Sequence, residues 1–157
     1  MLRLLLVTAT NRQPAWVEDG YNDYAKRIRG RCTLEHKPIA LARRSASTPI
    51  ERAIADESTR MLAAVPPGAH VIALRDQGTS WTTADLATKI ESWMQIGTPI
   101  CFLVGGPDGL SPDCVKRATE HWSLSRLTLP HGLVRIVVAE ALYRAHSLLE
   151  HHPYHRA

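Results

Sequence analysis

Apolar and polar residues follow two different periods along this chain, and the two interleave. Short apolar runs occupy Leu2–Thr8, Thr33–Leu41, His70–Leu74, Ile100–Val104 and Leu124–Leu129. Four of them are nearly continuous, the pattern of strands buried on both faces of a parallel sheet. Thr33–Leu41 carries charges and reads as an edge strand. Between the runs the period lengthens to that of a helix. Val17, Tyr21, Tyr24 and Ile28 make one apolar stripe, predicting a helix over about 14–29. Thr48-Pro49-Ile50-Glu51 has the form of a capping box with proline at the first helical position. It predicts a helix to about Ala64, stopped by Pro66-Pro67-Gly68. Thr82-Thr83-Ala84-Asp85 repeats the capping logic for a helix through Leu86, Ile90, Trp93 and Met94, closed by Gly97. Ser111-Pro112 opens a fourth helix. A fifth is predicted from about Leu133 to Glu150, with Val134, Val137, Val138, Leu142 and Leu149 on its apolar face.

Five strand–helix alternations without a repeat or linker predict one α/β domain over 1–157, an open, mostly parallel sheet with helices on both faces. In such sheets ligands bind beyond the carboxyl ends of the strands. The loops after Leu74, Val104 and Leu129 are therefore the places to look for chemistry.

Composition narrows the class. With 45% hydrophobic and 22% charged residues the chain is ordinary globular protein. The apolar start, Leu2 to Val7, is far short of a membrane span or a signal sequence, so a cytoplasmic protein with no membrane partner is expected. Cys32, Cys101 and Cys114 are odd in number and form no CxxC pair, and read as reduced, buried small hydrophobes. The net charge of +4 resides in the N-terminal part, where residues 1–60 hold 11 Lys/Arg against 7 Asp/Glu. Lys26, Arg27, Arg29, Arg31, Lys37, Arg43 and Arg44 fall close together with Glu35 as the only acid among them. Such a stretch attracts a polyanion, or is simply a solvated basic face.

Three segments carry candidate chemistry. Gly105-Gly106-Pro107-Asp108-Gly109-Leu110 follows the fourth strand and leads into a helix start, which suits either a small-molecule cradle or a tight turn. It is neither a dinucleotide fingerprint nor a P-loop. Trp122 to His131 reads as a strand ending in Pro-His before a long helix: a pocket wall, or a strand with one wet face. His131 there faces the positive end of a helix dipole, which disfavours its protonation. The tail, His151-His152-Pro153-Tyr154-His155-Arg156, lacks the further ligands a closed zinc site needs, and no metal is expected. It joins a stacking ring, a base titrating near neutrality and a phosphate fork, a mixture suited to RNA. Asp76 reads as a surface carboxylate, with a ribose contact as the alternative.

Together, Leu103-Val104-Gly105-Gly106-Pro107-Asp108-Gly109-Leu110-Ser111, Ser123-Leu124-Ser125 with Leu127-Thr128-Leu129-Pro130-His131, Leu133-Val134-Arg135, Glu140 to Ala145 and His152 to Arg156 closely resemble the ribosomal RNA large subunit methyltransferase H family, of the SPOUT class. Pro14 to Val17 and Tyr21-x-x-Tyr24 extend the resemblance to the N-terminal half. It implies a C-terminal trefoil knot, a homodimer and methyl transfer from S-adenosylmethionine to N3 of a pseudouridine of 23S rRNA in assembled ribosomes. It implies cofactor contacts at Leu74, Gly105, Leu124, Ser125, Arg126, Leu127, Thr128 and Leu129, mostly through backbone. His131, Tyr154, His155 and Arg156 become the catalytic candidates, and Arg135 a second grip on phosphate or anionic base. The rivals are a knotted tRNA methyltransferase, a non-catalytic ribosome-binding factor and a flavodoxin-like mononucleotide binder.

Overall fold

The computed structural model describes residues 1–154. In chain order they form β1 (Leu2–Ala9), α1 (Ala15–Ala25), β2 (Cys32–Ile39), α2 (Ile50–Ala64), β3 (His70–Ser80), α3 (Thr83–Ile96), β4 (Ile100–Val104), α4 (Pro112–Arg117), β5 (Glu120–Ser123) and α5 (His131–Leu149). The strands make one sheet in the order β2-β1-β4-β3-β5, with every pair parallel. β2 is the edge strand its charges foretold.

The two-residue period of a strand divides each apolar run between two cores. Leu2, Leu4, Leu6, Ile72, Ile100 and Phe102 pack with Tyr21, Leu86, Ile90 and Leu142, from α1, α3 and α5. Leu5, Val7, Val71, Ala73, Cys101 and Leu103 pack with Met61 and Cys114, from α2 and α4. Burying one such large side chain contributes roughly 1.5–3 kcal/mol, so strands this apolar are driven to the centre of the sheet. All three cysteines are free and buried. Burial pushes the Cys101 thiol up to about 12 and the Cys32 thiol up to about 11, which leaves them packing atoms rather than nucleophiles.

The caps separate good signals from false ones. Thr82 accepts from the Asp85 amide while the Asp85 carboxylate accepts from the Thr82 amide, and Gly97 closes α3 in the left-handed conformation. Ser111 caps α4 through the Cys114 amide with proline in the first turn. The Thr48 box does not form: Pro49 occupies the cap with no side-chain bond. Thr48 is engaged instead in a turn, its amide donating to the Ser45 carbonyl and its hydroxyl accepting from Ser45 Oγ. α1 ends at Ala25, earlier than its stripe, yet Ile28 stays buried in the turn beyond it.

The largest correction concerns the fifth strand. It is Glu120–Ser123, and Leu124–Leu129 is an irregular loop. The alternation in that loop is real, but the β3–β5 ladder ends at Ser80–Ser123, and among the described residues no strand lies on the other side of β5.

Candidate active site and cofactor pocket

The strand order makes β4, β3 and β5 neighbours, so the loops leaving their carboxyl ends converge. They enclose a cavity of about 460 Å³, within the range of small-molecule pockets. β3 supplies its floor. After Leu74 its register against β5 breaks and resumes at Thr79, and the intervening bulge turns Arg75, Asp76 and Gln77 to the cavity. The irregular loop after β5 contributes Leu124, Ser125, Leu127 and Leu129, and the start of α5 contributes His131 and Val134.

The turn after β4 forms the third wall. The Gly109 amide donates to the Gly106 carbonyl at 3.0 Å, with Pro107 and Asp108 at the apex and Gly109 at φ +80°. Gly105 passes so close beneath this turn that a Cβ would lie 2.6 Å from the Gly109 carbonyl oxygen and the Leu110 nitrogen. Only glycine allows that approach. Its lost Cβ makes room for the turn to fold on itself, and the turn then offers backbone to the cavity.

Six of the eight expected cofactor positions line this space: Leu74, Gly105, Leu124, Ser125, Leu127 and Leu129. Arg126 and Thr128 are exposed and are not among its lining residues. The loop holds its shape through side chains rather than a ladder. Ser123 Oγ donates to the Ser125 carbonyl, and the Leu127 amide donates to Ser125 Oγ at 2.9 Å. Leu74, Leu124, Leu127 and Leu129 supply apolar walls for a flat ring, while bare backbone of the glycine turn supplies polar edges. That donor set fits an adenosyl group. Sequence reasoning missed Arg75 and Gln77 and set Asp76 aside; the polar run directly after Leu74 was their only signal.

His131 opens α5 at the rim. Burial lowers its pKa, the nearby Arg135 guanidinium lowers it further, and a hydrogen bond to the Gly105 backbone opposes both. The direction matches the expectation from the helix dipole, although burial is the larger cause. A neutral imidazole held through one nitrogen keeps the other free to accept a proton.

Residues 2–155 match the family described as "Predicted SPOUT methyltransferase". The chain belongs to this family. It is 50% identical over 155 residues to the ribosomal RNA large subunit methyltransferase H of Methylococcus capsulatus, across 99% of this chain and 100% of the relative. It is 47% identical to the same-named protein of Nitrosococcus oceani, across 99% of each. A solved structure described as a probable methylase family protein from Haemophilus influenzae superposes on it with TM-score 0.57 at 11% identity, covering 99% of this chain and 70% of that one. The five-stranded parallel sheet is thus the fold of a SPOUT methyltransferase.

Two expectations for this SPOUT methyltransferase need revision. Arg135 is 2% exposed, donates to both Glu18 carboxylate oxygens at 3.0 Å and lies over the Tyr21 ring. It braces α5 against α1 and is not presented to a phosphate. Arg44, read as part of a basic face for RNA, pairs with Glu57 and Asp108. Lys26 and Arg27 pair with Asp23, and Arg31 with Glu150. Arg29, Lys37 and Arg43 are exposed and in no ion pair among the described residues.

Of the catalytic candidates, His131 and Tyr154 do not lie together. Tyr154 packs on α5 far from its start: its hydroxyl donates to Glu140, its ring sits 4.6 Å from that of Tyr143, and Arg144 lies over it at 4.9 Å. Burial and the Glu140 carboxylate push its pKa up to about 12. It therefore supports the fold. His155 and Arg156 lie outside the described residues.

Proposed function

We propose that this SPOUT methyltransferase transfers the methyl group of S-adenosylmethionine to N3 of a pseudouridine in 23S rRNA, acting on assembled ribosomes. Identity of 50% over essentially the whole length to a ribosomal RNA large subunit methyltransferase H carries this reading. The cavity at the strand ends, with its apolar walls and glycine turn, supports it. One SPOUT domain spans 1–157, knotted at its C-terminal loops, and the substrate places it in the cytoplasm.

The bound sulfonium supplies an already activated methyl, so the protein has two tasks. It must hold the nucleophile in line with the S–CH3 bond, and it must remove the N3 proton. Bound there, S-adenosylmethionine would supply the methyl group, and the imide proton displaced from N3 would pass to a base of the protein. His131, neutral and at the cavity rim, takes that proton. Tyr154, His155 and Arg156 stack on and grip the target nucleotide. Backbone of Gly105, Leu124, Ser125 and Leu129 reads the adenine edge. Arg126 and Thr128 contribute through backbone alone or not at all.

The protein acts as a homodimer. Trp16 is 57%, Leu127 74% and Leu133 37% exposed, an apolar set at the pocket end of the molecule. Large apolar groups left in water around a functional rim are the mark of a partner surface. A second copy would also bring its tail to the pocket, since Tyr154 of each chain packs against Glu140, well along α5 from the cavity rim.

The deciding experiment maps 23S rRNA modification in ribosomes from a deletion strain and restores it with purified protein and S-adenosylmethionine. Loss and restoration of a single N3-methylpseudouridine is expected. Unchanged ribosomal RNA, with methylation missing from tRNA instead, overturns the reading.

A further inference from the structure

We propose that Arg44 is a positioning residue for the cofactor turn, clamping Asp108 on the outer side of the Gly105–Gly109 turn to the buried carboxylate of Glu57 in α2. The inference rests on the reading of the cavity as the S-adenosylmethionine site.

Glu57 is the fixed end. Its side chain is 3% exposed, and a carboxylate so buried is costly unless its oxygens are paired and hydrogen-bonded. Oε2 accepts from the Ala42 amide at 2.9 Å and from Arg44 Nη1, while Oε1 accepts from Arg44 Nη2 at 3.3 Å. The Ala42 carbonyl accepts from Arg44 Nη1 at 3.0 Å, so segment 42–44 is wrapped around the same guanidinium.

The remaining edge of the fork faces the turn. Arg44 Nε donates to Asp108 Oδ2 at 2.9 Å. Asp108 stands at the apex of the turn whose other side lines the cavity through Gly105, Gly106, Pro107 and Gly109. Side chains for gripping are scarce in a segment with three glycines, and the Asp108 carboxylate is the turn's one charged handle. Glu57 touches the base of the same turn, since a Cβ on Gly106 would lie 3.4 Å from its Oε1. Arginine suits the position because a planar fork serves two carboxylates at once, whereas lysine is a single point charge. The clamp joins the β2–α2 connection, α2 and the turn after β4, three segments that meet only in the folded chain. It acts on the cofactor through backbone position and touches no substrate.

The test compares S-adenosylmethionine binding by calorimetry, melting temperature, and the split between KM and kcat. Asp108→Ala cuts the turn from the clamp and leaves the Arg44–Glu57 pair in place, so it avoids stranding a buried carboxylate. Its cofactor Kd and KM should rise about tenfold, with kcat at saturation within about twofold of wild type and the melting temperature nearly unchanged. Arg44→Lys, which keeps a charge for Glu57, should weaken binding similarly. Adding Asp108→Ala to it should cost little more, because both changes release the same turn. Wild-type affinity in Asp108→Ala overturns the clamp, as does a binding loss matched by a general drop in melting temperature. A wild-type protein that binds no S-adenosylmethionine overturns the cofactor reading itself, a result distinct from either.

Discussion

The Tyr154 hydroxyl donates to Glu140 at 3.1 Å, and Glu140 stands roughly 13 Å along α5 from His131 at the cavity rim. One chain therefore holds the start of its tail well away from its own pocket. If the tail serves the pocket of a second copy, two defective chains should complement. Co-expression of His131→Ala with a chain ending at Pro153 should give mixed dimers, each with one intact site. Random pairing would restore roughly a quarter of wild-type methyl transfer, although each parent alone is inactive. No recovery in verified mixed dimers would place tail and pocket in the same chain.

Gly105 should tolerate no side chain. A single methyl there meets the Gly109 carbonyl oxygen at 2.6 Å and the Leu110 nitrogen at the same distance. Backbone cannot swing aside as a flexible side chain would, so Gly105→Ala must push the turn outward. We expect a stability loss of about 1–3 kcal/mol and at least about tenfold weaker cofactor binding. Calorimetry with thermal unfolding measures both. Unaltered binding would separate this turn from the cofactor.

His36 makes stability depend on pH. Its Nε2 lies 2.7 Å from the Thr8 hydroxyl and its Nδ1 lies 3.4 Å from Arg135 Nη1. Guanidinium has no acceptor, so Nδ1 accepts and Nε2 carries the hydrogen. Burial first, then Arg135, pulls the pKa down to about 4. A depressed histidine gives stability that is fully present above the unfolded value of about 6.5 and is lost as pH falls toward the folded value. Between them the unfolded chain binds a proton that the native ring refuses. Allowing for partial exposure, the loss across this window should be about 1–2 kcal/mol. Denaturant unfolding of wild type and His36→Gln at several pH values checks it: the variant should lack this component. Parallel pH curves for the two proteins would assign the acid sensitivity to other groups.

What the sequence disclosed depended on how local the cause was. β4 lay open as Ile100–Val104 because five consecutive apolar residues have no other comfortable place. Thr82 and Thr48 stand in the same local pattern, but only Thr82 caps, since Ser45 competes for Thr48 through a turn no spacing rule weighs. Leu124–Leu129 alternates like a strand and is not one, because a strand needs a ladder partner and β3, the neighbour of β5, ends at Ser80 opposite Ser123. The loops that line the cavity were legible from the parallel-sheet rule and family resemblance. The ties of Arg44 to Asp108 and of Arg135 to Glu18 were not, because their partners stand 64 and 117 positions away.

The same distinction divides the basic segment into two functions. Arg43 and Arg44 are adjacent, and reversing both would confound them. Arg43 is exposed and in no ion pair among the described residues, whereas Arg44 has its charge opposed by two carboxylates. A charge already neutralised within the protein displaces few counterions from RNA, so it adds little to the salt dependence of binding. Arg43→Glu should weaken ribosome association, reduce the log–log salt slope by roughly one, and leave S-adenosylmethionine affinity as it was. Arg29→Glu and Lys37→Glu extend the series to the segment's other exposed cations that are in no ion pair among the described residues. Arg44→Lys should leave the salt slope near wild type while cofactor affinity falls. Ribosome co-sedimentation at several salt concentrations, paired with calorimetry on the same preparations, reads the two quantities independently. If Arg44→Lys lowered the salt slope as Arg43→Glu does, with cofactor binding intact, Arg44 would belong to the RNA surface after all.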